Sequence, residues 1–180
     1  DVDIYGTNMH RGKSFGDAFE SVKKELNMPI MFTDFGADAF DALENKENQR
    51  MQAFYMVEKW KEIYENAAGL GKSGNSIGGF TFQFSDGWWK FGQTKNLEIQ
   101  DNNASWTGGG YSFDYTEGIN NMNEEWFGIC AKGPTNAAGL YTLYPRAAYY
   151  ALQEAHDLNP YDLGVTGASV AKHFSDIKLM

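Results

Sequence analysis

Three stretches of this chain place polar side chains directly after an apolar run. They are Asn8-Met9-His10-Arg11, Thr33-Asp34-Phe35-Gly36-Ala37-Asp38 and Gln83-Phe84-Ser85-Asp86-Gly87-Trp88-Trp89. Asp34 is the sharpest case. It stands two residues before Gly36, where backbone can approach a ligand closely. A carboxylate in that setting can serve as a nucleophile, a base or a metal ligand. It can equally cap its own loop by accepting from nearby N–H groups. His10 and Asp86 could orient such a carboxylate or hydrogen-bond a ligand hydroxyl, and Asn8 and Gln83 add amide donors and acceptors. Trp88 and Trp89 follow the third run most closely, and indole faces stack on the C–H faces of flat ligands.

These residues need elements to position them. The first run, 3–8, reads as a short strand. From Ser14, a fair N-cap, Phe15, Phe19, Val22 and Leu26 recur at helical spacing and predict a helix over 14–26. Pro29-Ile30-Met31-Phe32-Thr33 has the length and continuous apolarity of a strand buried on both faces. The clearest helix spans 47–67, with Ala53, Met56, Val57, Trp60, Ile63, Tyr64 and Ala67 in one stripe, and Gly69 and Gly71 ending it. A third strand covers 76–84. Strand, helix, strand, helix, strand is the order of parallel βαβ units.

The pattern then breaks. Residues 85–143 show no sustained period, and loops of that length usually carry function. Trp88, Trp89, Trp106 and Trp126 all fall there. Stacking surfaces and a mini-core for the loop itself are both compatible with them. A helix resumes at Pro145, with Ala148, Leu152 and Ala155 on one face, and Asn159-Pro160 closes it. A last helix over about 166–177 offers Val170, Phe174 and Ile177.

Composition narrows the function classes. Of 180 residues, 42% are apolar and 16% aromatic, too many for a disordered chain. Fifteen basic residues against twenty-four acidic give a net charge of −9 with no Lys/Arg stripe, which argues against a nucleic-acid partner. No apolar run is long enough to span a membrane. The lone Cys130 excludes an internal disulfide and a cysteine zinc site. No signal-peptide pattern opens the sequence, and its start at Asp1 suggests a processed, excised or designed chain. Asp101-Asn102-Asn103-Ala104-Ser105 alternates oxygen ligands, but Trp106 and Ser112 stand where an EF-hand needs Gly and Glu. An EF-hand is therefore rejected, and an irregular calcium site stays open. Asn103-Ala104-Ser105 also matches a glycosylation acceptor, a pattern too short to weigh much.

The three runs also resemble, in order, three strands of one enzyme family. Pro29-Ile30-Met31-Phe32-Thr33-Asp34-Phe35-Gly36-Ala37-Asp38 looks like the seventh-strand motif of retaining (β/α)8 glycoside hydrolases, especially the β-galactosidase and β-glucuronidase family. Ile77-Gly78-Gly79-Phe80-Thr81-Phe82-Gln83-Phe84-Ser85-Asp86 resembles the eighth strand. Asp1-Val2-Asp3-Ile4-Tyr5-Gly6-Thr7-Asn8 resembles the sixth, and Tyr144-Pro145-Arg146-Ala147-Ala148 the start of the final barrel helix. The fold implied is α/β: a partial (β/α)8 TIM barrel, strands six to eight with their helices, and a long aromatic-rich loop after the last strand. Residues 1–158 would form that part of the barrel, including loop 85–143. Residues 159–180 would be an extension with a short helix.

What the resemblance implies is a glycoside hydrolase-type domain acting on β-linked carbohydrate. Asp34 takes the nucleophile position, Asn8, His10, Gln83, Asp86, Trp88 and Trp89 touch sugar, and no cofactor or metal is needed. The departures are specific. Asp34 stands where the family has Glu, His10 where it has Tyr, and Phe82 where it has Trp. The acid/base after the fourth strand has no counterpart here. Asn123-Glu124 spells the family's acid/base dipeptide but lies after the eighth strand, so the role does not transfer. A fragment inactive alone is one expectation, and a non-catalytic carbohydrate-binding or assembly module is the other. Three parallel strands leave two open apolar edges, which predicts a homodimer or pairing with the missing N-terminal half of the barrel. The family suggests a periplasmic or extracellular setting, which the residues do not themselves fix.

Overall fold

The computed structural model describes residues 2–10, 12–42, 44–89, 92–102 and 122–179. Trp106, the 103–105 acceptor pattern and Arg11 lie outside them.

Strand β1 (Tyr5–Asn8), helix α1 (Ala18–Leu26), strand β2 (Ile30–Phe35), helix α2 (Gln49–Glu65) and strand β5 (Ser76–Thr81) follow the alternation read from sequence. Two short strands, β3 (Phe40–Asp41) and β4 (Lys46–Glu47), pair antiparallel between β2 and α2. The main sheet has the order β1-β2-β5 and every pairing in it is parallel. The fold is mixed α/β, and among the described residues this sheet does not close on itself.

Helix α1 starts later than its apolar spacing suggests. Gly16 takes a left-handed φ of 60° and breaks the would-be first turn, and its N–H bonds to the Ser14 hydroxyl. Ser14 thus closes a local turn instead of capping the helix. Helix α2 is capped as its sequence allows, with the Asn48 side chain accepting from the Met51 N–H at 3.0 Å. One face of the sheet is covered by an aromatic cluster. Phe15 stacks on Phe32 at 3.7 Å between ring centroids, and Phe35 meets Trp60 edge-on at 5.3 Å. Each of these rings removes a large apolar area from water, and an offset or edge-to-face pair adds about 0.5–1.5 kcal/mol.

Strand β5 ends at Thr81, three residues short of the apolar run, and the Phe82–Gln83 peptide just beyond it is cis. Segment 83–86 then runs beside 127–130. Gln83 N–H bonds to Phe127 O, Ile129 N–H to Gln83 O, and Asp86 N–H to Cys130 O. The long loop is therefore tied at its base, and its end is regular. A 3-10 turn covers Glu124–Trp126, and strands β6 (Cys130–Thr135) and β7 (Tyr141–Pro145) form a hairpin. The sequence hides this hairpin because every residue of β7 is exposed, so no inside-outside alternation is written into it.

Pro145 closes β7 rather than opening a helix. Arg146 is the N-cap of helix α3 (Ala147–His156), followed by helix α4 (Gly167–Asp176). Thr166 and Ser169 form a reciprocal capping box on α4. Helix α2 packs against α3 and α4, and Val170 and Phe174 join the same core as β2 and α2.

Candidate functional site

Parallel pairing brings the ends of β1 and β2 together. Asn8 is in register with Asp34, and the Met9 N–H bonds to the Asp34 carbonyl at 2.8 Å. His10, the next residue, reaches back, and its Nε2 lies 3.0 Å from Asp34 Oδ1. The pair is part-buried, with side-chain exposures of 14% for His10 and 27% for Asp34. Asn8 does not reach the carboxylate through this contact. Its Oδ1 accepts from the Thr33 hydroxyl at 2.7 Å, which holds the two strand ends in place.

The third strand end and the chain returning after the 3-10 turn at Glu124–Trp126 supply an apolar wall. Phe127 meets the His10 ring edge-on at 5.4 Å, and Phe82 does so at 6.2 Å. Gly36 is required for this closeness, since a Cβ there would sit 1.9 Å from the Phe82 carbonyl oxygen. The observed core of the site is thus Asp34 with His10, bounded by Phe82 and Phe127.

Asp86 is placed differently from the sugar-contacting role expected of it. It is 2% exposed, and its carboxylate faces Arg146. Arg146 Nη1 donates to Asp86 Oδ1 at 2.6 Å and Nη2 to Oδ2 at 2.8 Å, a fork-to-fork pair. Gly128 N–H also donates to Oδ1, and the Gln100 amide to Oδ2. Four donors on two oxygens leave little for a ligand hydroxyl, so the physical reading of Asp86 is a structural anchor. Arg146 further donates through Nε to Glu47 Oε1 at 2.6 Å and through Nη1 to the Gly128 carbonyl. Burial works against the guanidinium charge, but the bonds and charges of Asp86 and then Glu47 outweigh it and raise the Arg146 pKa. Gly128 has no room for a side chain, since a Cβ would lie 2.2 Å from Asp86 N.

A second buried carboxylate, Asp38, accepts from the Asn123 N–H and ties the exit of β2 to the 3-10 turn. Burial pushes its pKa well above the ordinary carboxylate value. Of the carboxylates on the three strand ends, Asp38 and Asp86 are buried and Asp34 is part-exposed.

The remaining expected residues divide. Gln83 is half-buried and its amide lies over Gly87. Trp88 faces the hairpin: the Lys132 ammonium sits 4.3 Å from its ring and 4.2 Å from the ring of Tyr141. Trp88 is thus engaged in a cation–π clamp. Trp89 is 50% exposed. Trp126 belongs to the loop's own packing, against Phe40 and with its N–H on the Asp101 carbonyl. Among the described residues no group of three or more His, Cys, Asp or Glu side chains is placed to hold a metal.

Sequence reasoning passed over Arg146, Glu47, Phe127 and Gly128. Arg146 carried a signal: it is a lone cation between apolar Tyr144-Pro145 and Ala147-Ala148, and such a charge needs a buried partner. Phe127 and Gly128 carried none, because their role depends on where the loop returns.

Chemically, the site offers one carboxylate oriented by an imidazole beside aromatic edges. It can accept hydrogen bonds from a hydroxylated ligand or act as a nucleophile. A retaining glycosidase needs a second carboxyl about 5–5.5 Å away. Comparison with known proteins places nothing beside this arrangement: no protein-family model, no curated protein and no solved structure matches the chain.

Proposed function

We propose that the chain is a glycoside hydrolase-type domain for β-linked carbohydrate, corresponding to the last three strands of a (β/α)8 barrel and inactive by itself. One observation carries the reading. Asp34 stands part-exposed at the C-terminal end of the middle strand of a parallel sheet, with His10 from the neighbouring strand end on its Oδ1 at 3.0 Å. Open α/β sheets and barrels place their sites at that end. Asp34 holds the nucleophile position, His10 orients it, and Trp89 offers a sugar-stacking face. Asn8 stands beside them in register with Asp34, and Phe82 and Phe127 bound the pair on its apolar side. The acid/base and the strands that cover both sheet edges come from a partner, either a second copy or the N-terminal half of the barrel.

A second reading, a non-catalytic carbohydrate-binding or assembly module, is favoured because the ends of the three parallel strands present, among the described residues, Asp34 as a part-exposed carboxylate while Asp38 and Asp86 are buried. Both readings predict carbohydrate binding. Affinity electrophoresis in gels containing β-linked glucans and galactans should retard the protein, and Asp34→Ala or Trp89→Ala should relieve the retardation. No retardation by any β-linked polymer overturns the carbohydrate assignment. The purified chain should not turn over an aryl β-glycoside, because general acid help worth about 10²–10⁴-fold is missing. Turnover that Asp34→Ala abolishes would show that the chain holds a complete site.

A further inference from the structure

Strand β2 stops at Phe35, and the chain that follows stays buried through Gly36 and Ala37. Buried carbonyls need donors, and past the end of a strand the ladder no longer supplies them. Helix α2 supplies them instead. Lys59 Nζ donates to the Gly36 carbonyl, and Gln52 Nε2 donates to the Ala37 carbonyl at 3.1 Å. Gln52, Met56 and Lys59 follow one another at helical spacing and share one face of α2, and all three are 0% exposed.

Gln52 also reaches the returning chain. The same Nε2 donates to the Gly128 carbonyl at 3.0 Å. Gly128 follows Phe127, whose ring meets His10 edge-on at 5.4 Å. One amide nitrogen therefore bridges the segment just beyond Asp34 and the segment that walls His10. The fit between these segments is tight, since a Cβ on Gly36 would sit 2.8 Å from Phe127 Cδ1. Gln52 Oε1 has no hydrogen-bond partner among the described residues. A buried amide oxygen left unpaired costs stability, so a side chain selected for packing alone would be apolar at this position.

We infer that Gln52 is a positioning residue for the Asp34–His10 pair. By holding Ala37 and Gly128 on one nitrogen it fixes the exit of β2 against the Phe127 wall, and so the orientation in which His10 meets Asp34. Being fully buried, it acts without touching a ligand. Its effect on carbohydrate binding rests on the function proposed above, whereas its effect on His10 does not.

The test is NMR of the full chain, read at the imidazole Cε1–H signals. The chain has three histidines, and His10→Gln identifies the signal of His10. Gln52→Met keeps the length of the side chain and removes the donors. Gln52→Asn keeps an amide one methylene too short to reach both carbonyls, and it decides the matter should Gln52→Met fail to fold. Each should shift the His10 signal, which lies in the ring currents of Phe127 and Phe82. Each should leave in place the signals of His156, edge-on to Trp60 of α2, and of His173 in α4. Val22→Ala, a truncation of the same core from α1, should lower stability and leave the His10 signal where it is. Where a β-linked polymer retards the wild type, Gln52→Met should weaken the affinity about tenfold, the size of one or two lost hydrogen bonds. A wild type that binds no such polymer removes the carbohydrate reading and leaves the His10 signal to decide. An unmoved His10 signal in the Gln52 variants, an equal shift in Val22→Ala, all three signals moving together, or undiminished affinity of Gln52→Met would overturn the inference.

Discussion

Replacing Asp86 by Asn probes the division between anchor and ligand contact directly. The Arg146 and Asp86 side chains are 1% and 0% exposed, and they are joined by two bonds of 2.6 and 2.8 Å. Asparagine keeps the volume and one acceptor oxygen. Its NH₂ group would face either Arg146 Nη2 and the Gln100 amide or Arg146 Nη1 and the Gly128 N–H, donor against donor in each case. The guanidinium would keep Glu47 as its remaining ionic partner, and that carboxylate is one-third exposed. Breaking one partner of a buried pair costs about 3–5 kcal/mol. Whole domains are stable by about 5–15 kcal/mol, so this change removes a large share. With a urea slope of about 2 kcal/mol/M, the unfolding midpoint should fall by about 2 M. Urea titration followed by tryptophan fluorescence reads it. Replacing Arg146 and Asp86 together by Met and Leu should cost less than the two single changes summed, since no charge is then left buried alone. A midpoint shift under about 0.5 M for Asp86→Asn, outside the range that loss of a buried ion pair produces, combined with lost carbohydrate binding, would refute the anchor and return Asp86 to the ligand.

The other predictions concern Asp34, Asp38 and the open sheet edge. Asp34→Asn should lower stability by no more than about 1 kcal/mol, because its contact with His10 is part-exposed; a loss of several kcal/mol in the same titration would make Asp34 a structural residue. Asp38 has a raised pKa in the folded state, so its contribution is fully present below the ordinary Asp value and is lost as pH rises through the folded value. Asp38→Asn cannot titrate, and its midpoint should gain on the wild type as pH rises above the ordinary Asp value of about 4; a gap that stays constant or shrinks contradicts the assignment. Phe80, 61% exposed on edge strand β5, should support association, so the wild-type chain should scatter light as a dimer or larger and Phe80→Lys should shift it toward monomer. A compact wild-type monomer at tens of micromolar would remove the need for a covering partner.

The elements that position the site were readable where one physical signal dominated. The stripe from Ala53 to Ala67 gave α2 because seven apolar residues at helical spacing admit no other arrangement. The run Ile30–Phe32 gave β2 because a helix so short would bury nothing. Signals failed where tertiary contact decided. Gly16 shortened α1 by turning left-handed, Thr81 ended β5 early because segment 83–86 pairs with 127–130, and β7 left no alternation because both its faces are open. The short β3 and β4 were below the length at which any period can be counted.

The site shows the same split at the level of single side chains. Asp34 and His10 were legible because each follows directly on an apolar run, and parallel pairing of β1 with β2 then had to bring them close. Asp86 follows its run in the same way and went elsewhere. What separates them is the returning chain: Gly128 presses its backbone onto Asp86, and Arg146 arrives from 60 residues further on to take the carboxylate. A local pattern can therefore nominate a carboxylate at a strand end, but it cannot tell a free one from one held by a distant cation. The unmatched Arg146 in an apolar helix start was the available clue. A buried guanidinium must find a buried carboxylate, and Asp86 and Asp38 were the candidates on the three strand ends. Asp38 is the one that the structure leaves to burial without a guanidinium, so its raised pKa and the Asp86–Arg146 pair follow from one choice of partner. That choice leaves Asp34 as the part-exposed carboxylate where the three parallel strands meet the surface, and it is why the proposed chemistry is placed on Asp34.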